Sequence, residues 1–199
     1  MHEFTNQPSP IMLYSSTMIA LQTTSLHRTL SSLQTFIAWQ KQWLAKIERS
    51  FQSGHDIETI TLCMNQLHAV LRKGLWIMGQ LHSLKAKKGL FNDEELLRLL
   101  ANPAGMMPRG VDLRELYGAA ERFGFLRPDK DEELSRMHEE VRVILRRMFH
   151  PQEKRDADRD LELLHRLAGE FLKAVQECVS QMEKRAQELE EAMRMVKAV

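Results

Sequence analysis

The chain has 199 residues, of which 43% are hydrophobic and 28% charged. That balance is too apolar for a disordered protein, and the length suffices for one or two domains with a sizeable core. Its two cysteines, Cys63 and Cys178, exclude a disulfide framework and fit a reducing compartment. The net charge of +1 is unevenly placed: residues 1–92 carry nine Lys/Arg against four Asp/Glu, and residues 93–199 carry nineteen against twenty-three. Such a split suits two helical layers that attract one another, or a basic face for an anionic partner.

The opening "MHEFTNQPSP" reads as a frayed tail (residues 1–10) without the basic start or apolar run of a signal peptide. The longest apolar runs, "IMLY" and "LWIM", are far short of the ~20 residues that span a bilayer. The expectation is a soluble, cytoplasmic protein with no transmembrane segment.

From Ile11 to Ser53 there is no proline or glycine, and Leu26, Leu30, Leu33, Ile37, Leu44, Ile47 and Phe51 form an apolar stripe at helical spacing. Phe36, Trp39 and Trp43 widen it, so this helix is expected to touch at least two neighbours. "SGHD" at 53–56 predicts a break, with Gly54 as a left-handed C-cap and Asp56 as the next N-cap. A second helix is predicted from Ile57 to about Lys87, with Ile57, Ile60, Met64, Leu67, Leu71, Met78 and Leu81 as its seam. Together these form an αα-hairpin over residues 11–89.

Residues 90–127 read as a short-helix insert: "DEELLRLLA", a proline- and glycine-rich loop at 102–110, then "LRELYGAAERF" stopping at Gly124. The charged C-terminal part, residues 128–199, begins with an amphipathic helix to Phe149 carrying Leu134, Met137, Val141, Ile144 or Leu145, and Met148. A charged joint after Pro151 leads to a final helix from about Asp156. There, positions 161, 168, 175, 182, 189 and 196 and positions 164, 171, 178, 185, 192 and 199 repeat in sevens, and all but Arg185 are apolar. A sustained 3.5-residue period is the mark of a coiled-coil seam. The fold class expected is all-α: an elongated helical bundle with a long N-terminal hairpin, a short-helix insert and a long coiled-coil-like C-terminal helix.

Chemistry-bearing motifs are few. Cys178 falls in the seam and reads as a small buried hydrophobe. Glu162 and His165 have the i, i+3 spacing of half a di-metal carboxylate site, but no second Glu-x-x-His exists. "GLWIMG" at 74–79 has the glycine spacing of a phosphate loop but lacks its Lys-Ser/Thr. No catalytic, cofactor-binding or metal residue is assigned, and no enzyme activity is expected.

The leading expectation is a non-enzymatic interaction or assembly subunit (adaptor, chaperone or structural component). Its partner, another protein or a second copy, would be bound by Leu161, Leu164, Ala168, Phe171, Val175, Met182 and Leu189 of the seam. Trp76, outside the apolar arc of its helix, is a candidate partner anchor or the floor of a second layer. The alternative is a helical subunit that grips nucleic-acid backbone through Arg72, Lys73, Lys85, Lys87 and Lys88, a stretch without acidic residues.

Overall fold

The computed structural model describes residues 10–85, 113–150 and 157–197, with side chains described from Leu30 onward except those of Ser83, Lys85, Leu113, Val196 and Lys197. Of the tail expected at 1–10, Pro10 instead opens the first helix, and residues 1–9, the short helix at 93–101, the loop at 102–110 and the joint at 151–156 lie outside the described residues. The fold is all-α. Among the described residues there are five helices and no strand: α1 Pro10–Gln52, α2 Asp56–Lys85, α3 Leu113–Arg122, α4 Lys130–Phe149 and α5 Ala157–Lys197.

The chain divides into two compact units, Met1–Phe36 and Ile37–Val199, with the boundary inside α1. In the first, Leu30 and Leu33 of the expected stripe are buried. The Thr35 hydroxyl there donates to the Ser31 carbonyl at 3.0 Å, the local back-bonding that Ser/Thr make along a helix.

Two glycines end helices in the same way. Gly54 has φ +73°; its N–H donates to the Phe51 carbonyl at 2.9 Å, and His55 N–H donates to the Ser50 carbonyl at 3.1 Å. Gly124 has φ +72°, with Gly124 N–H bonded to the Glu121 carbonyl and Phe125 N–H to the Ala120 carbonyl, both at 2.8 Å. These paired bonds form the Schellman ending, which needs a left-handed residue that glycine adopts without a Cβ penalty. Asp56, expected as an N-cap, instead opens the first turn of α2. The His55 carbonyl accepts the Thr59 N–H at 2.9 Å, so His55 is the cap, and the Asp56 carboxylate meets His165 Nδ1 at 2.9 Å.

The start of α4 borrows its cap. Asp129 adopts φ 67° and makes no side-chain cap bond. Glu121, at the end of α3, accepts the backbone N–H of Asp129 at 3.3 Å and of Asp131 at 3.4 Å. Beside it, the buried Lys130 donates to Glu133 at 2.8 Å and pairs with Glu177 of α5 at 3.0 Å. Burial alone would lower the lysine pKa, but the two carboxylates outweigh it and hold the pKa above the ordinary value.

Cross-helix pairs fix the directions. Lys41 pairs with Glu183, Gln176 donates to Glu48 at 2.8 Å, and Phe51 stacks on His165 with ring centroids 4.8 Å apart. The second half of α1 therefore runs antiparallel to α5. Lys130 with Glu177, Arg166 with Glu140 and Arg147 with Asp160 place α4 antiparallel to α5 as well. α2 runs parallel to α5, with Asp56 beside His165 at one end and Met78 near Gly124, whose carbonyl accepts from Arg185, at the other. The result is a helical bundle, with α3 and its following turn seated on the second half of α2.

From Gln66 to Leu81, α2 has no exposed residue. Ile60, Leu67, Val70, Leu71, Leu75, Ile77 and Leu81 lie in the core, and so do Thr59, Gln66 and Arg72. Burial of each such aliphatic side chain stabilises by about 1.5–3 kcal/mol, so α2 and α5, each with a long run of buried apolar residues, supply most of the core. Gly74 belongs to that packing. A Cβ there would lie 2.6 Å from Cδ2 of Phe125, so bare backbone is what admits the ring. The glycines of "GLWIMG" are packing glycines inside a helix; Gly74 and Gly79 are both buried.

Candidate functional site

The helix directions leave a groove between the first half of α2 and the second half of α4, with the start of α5 beneath it. Its volume is about 320 Å³, at the lower end of the range that binding sites occupy. α2 contributes Ile57, Ile60, Thr61, Met64 and Asn65, α4 contributes His138, Val141, Arg142 and Leu145, and α5 contributes Leu164. On both long walls the spacing is three and four, so each wall is one helical stripe. The Thr61 hydroxyl is satisfied by the Ile57 carbonyl at 2.8 Å, which leaves the floor essentially apolar.

Exposed apolar side chains continue the groove. Ile57 is 42% exposed, Leu161 53% and Phe149 71%. Leu161 lies one turn before Leu164, and Phe149 one turn beyond Leu145, on the matching helix faces. Among the described residues that line the groove, Arg142 is the charged one, and His138 adds an imidazole. Arg142 is only loosely held: it lies 3.6 Å from a Glu139 oxygen that already accepts from Arg114 at 3.0 Å.

Burial pushes the thiols of Cys63 and Cys178 up to about 12, and the thiolate is the reactive form. His68 is held below the ordinary histidine value, first by burial and then by the charges of His138 and Arg72. Among the described residues no group of three His, Cys, Asp or Glu could hold a metal ion. Of the half-motif, Glu162 is exposed and His165 is engaged by Asp56 and the Phe51 ring.

The seam residues fall differently from their expected role. Leu164, Ala168, Phe171, Val175, Met182 and Leu189 are buried in this single chain, as is Cys178. The heptad period thus records packing within the chain for these positions, and of the expected contact set Leu161 alone is a large exposed hydrophobic side chain. Trp76 is half-buried, with Lys73 Nζ 5.1 Å from its ring centroid in a cation–π contact.

Of the basic set, the structure describes the side chains of Arg72 and Lys73 alone. Arg72 is only 6% exposed, and burial lowers its pKa and that of Lys73. A guanidinium inside the bundle cannot neutralise a phosphate outside it. The Lys85 side chain and residues Lys87 and Lys88 lie outside the described residues.

Sequence reasoning missed Ile57, Thr61, Met64, Leu145 and Phe149 as a surface. One signal was available: α4 carries a second apolar line, Val141, Leu145 and Phe149, beside its core line of Leu134, Met137, Val141 and Ile144. No protein-family model, curated protein or solved structure matches this chain. No helix among the described residues is long and apolar enough to cross a membrane.

Proposed function

We propose that this protein is a non-enzymatic helical interaction subunit that acts in the cytoplasm and receives a protein partner in the groove between α2 and α4. The observation that carries this reading is the apolar groove with Ile57, Leu161 and Phe149 exposed around it. Contiguous apolar surface on a soluble fold is a solubility cost unless something covers it. A groove between two helices is the shape that accepts a third. The buried seam and the two buried thiols fit a structural role for the remainder of α5. Burial of Arg72 takes one of the five residues on which nucleic-acid binding would rest away from the surface.

Site-specific photocrosslinking in the source cells tests the reading. A benzophenone side chain at Ile57, Leu145 or Phe149 should give a discrete protein adduct shared by all three positions. Lys173 and Lys184, which are exposed, should give none at the same labelling level. Absence of any adduct from the three groove positions in a folded chain would remove the groove as a partner site. An adduct of twice the chain mass would identify the partner as a second copy.

A further inference from the structure

We infer that the occupant of the α2–α4 groove is an acidic amphipathic helix, a proposal that rests on the docking reading above and adds the partner's chemistry. Three observations converge on it. The first is shape. The α2 wall from Ile57 to Asn65 spans about 12 Å at 1.5 Å per residue. That length matches two turns of a partner helix offering apolar side chains at i, i+4 and i+7. The second is the character of the lining. Aliphatic side chains from three helices form the concave floor, and no carboxylate is among the described residues that line it.

The third is charge. Arg142 lines the groove with its side chain 70% exposed, 3.6 Å from a Glu139 oxygen that Arg114 already holds at 3.0 Å. Its local neutralisation is therefore shared, and a partner carboxylate gains a charge-assisted, potentially bidentate bond by approaching it. A partner helix laid in the groove thus meets apolar side chains beneath and the Arg142 guanidinium at one rim. Basic helices meet repulsion at that rim, the arrangement by which interfaces reject wrong partners. A flat anionic bilayer would meet the arginine but could not fill the concave floor, so the peptide helix is the occupant the geometry favours.

Fluorescence anisotropy with the full-length chain tests this. The probes are two labelled 18-residue helical peptides with the same leucine stripe, one with glutamates and the other with lysines on its polar face. The acidic peptide should bind at least tenfold more tightly at 50 mM NaCl, with the preference shrinking at 300 mM as rim charges are screened. Arg142→Glu, an exposed change checked for native helicity by circular dichroism, should abolish or invert the preference. Thr61→Trp, which fills the groove from an exposed position, should remove binding of both peptides.

Equal binding of the two peptides, with both lost in Thr61→Trp, overturns the acidic partner while leaving the docking groove in place. Binding that Thr61→Trp leaves intact overturns the proposal by placing the peptides elsewhere. Failure of both peptides to bind also overturns it. Uptake by phosphatidylglycerol vesicles in that case would assign the face to a lipid surface, and crosslinking at Ile57, Leu145 and Phe149 would still report separately on whether a protein docks there.

Discussion

Gly74→Ala should lower stability in this protein, although the same change in an exposed helix raises it. In an open helix alanine is favoured over glycine by about 1 kcal/mol. Here the new methyl would lie 2.6 Å from Cδ2 of Phe125, a side chain only 1% exposed and held by the turn after α3. Overpacking a closed core costs about 1–3 kcal/mol. With three ring atoms in the way, the upper part of that range applies, and the net loss is about 1–2 kcal/mol. For a chain of this length that is a fall in Tm of about 2–8 °C. Shrinking the obstacle should reverse the sign: in a Phe125→Leu background, Gly74→Ala should be neutral or stabilising by up to ~1 kcal/mol. Urea unfolding followed by circular dichroism across the four-member cycle measures the coupling, expected to be about 1–3 kcal/mol. If Gly74→Ala stabilises the wild-type chain as much as it stabilises Phe125→Leu, the ring does not sit on α2 and the packing described for α3 is wrong.

Val175, fully buried in α5, should tolerate Val175→Asp far less than the exposed Lys184 tolerates Lys184→Glu. A loss of several kcal/mol is expected against about ±0.5, and equal melting temperatures would show that α5 does not bury this seam. Cys63 and Cys178, pushed up to about 12 by burial, should resist an aromatic disulfide reagent at pH 8 and react fully in urea; rapid native-state labelling of either thiol would contradict its core position. His68 has a folded pKa below its ordinary value of 6.5, so protonation favours the unfolded chain. The stability it contributes is present above pH 6.5 and is lost as pH falls through the folded value. Tm should therefore drop between pH 7 and pH 5, and His68→Gln should flatten that slope; an unchanged slope in the variant would place the pH response elsewhere.

Helix boundaries were legible where the chemistry is local. Gly54 and Gly124 signal their own left-handed turns, and the helices they end stop within two residues of the positions expected. Asp56 shows the limit of local reading: the residue type suits a cap, but His165 brings a long-range partner to its carboxylate. The surroundings of α2 were not legible. Arg72, Gln66 and Thr59 look like a solvated face, because periodicity registers polarity and cannot count how many neighbours surround a helix. The heptads of α5 were plain, yet a 3.5-residue period is the same whether the facing helix belongs to this chain or to another. The groove was hidden for a third reason. Its walls come from helices about eighty residues apart in the chain, and each stripe alone resembles ordinary core.

Arg185 interrupts the heptads of α5, and its setting says why an otherwise repetitive helix stops where it does. Its guanidinium donates to the Gly124 carbonyl at 3.1 Å and to Glu188 at 2.8 and 3.1 Å. A seam of alternating apolar positions looks nearly alike after a slide of seven residues, about 10 Å of travel. After such a slide Cys178 or Ala192 would face the Gly124 carbonyl, and the guanidinium would lose its bond to that carbonyl. Arg185 thus works like the bitting on a key: the shaft of α5 fits at several depths, and this residue admits one.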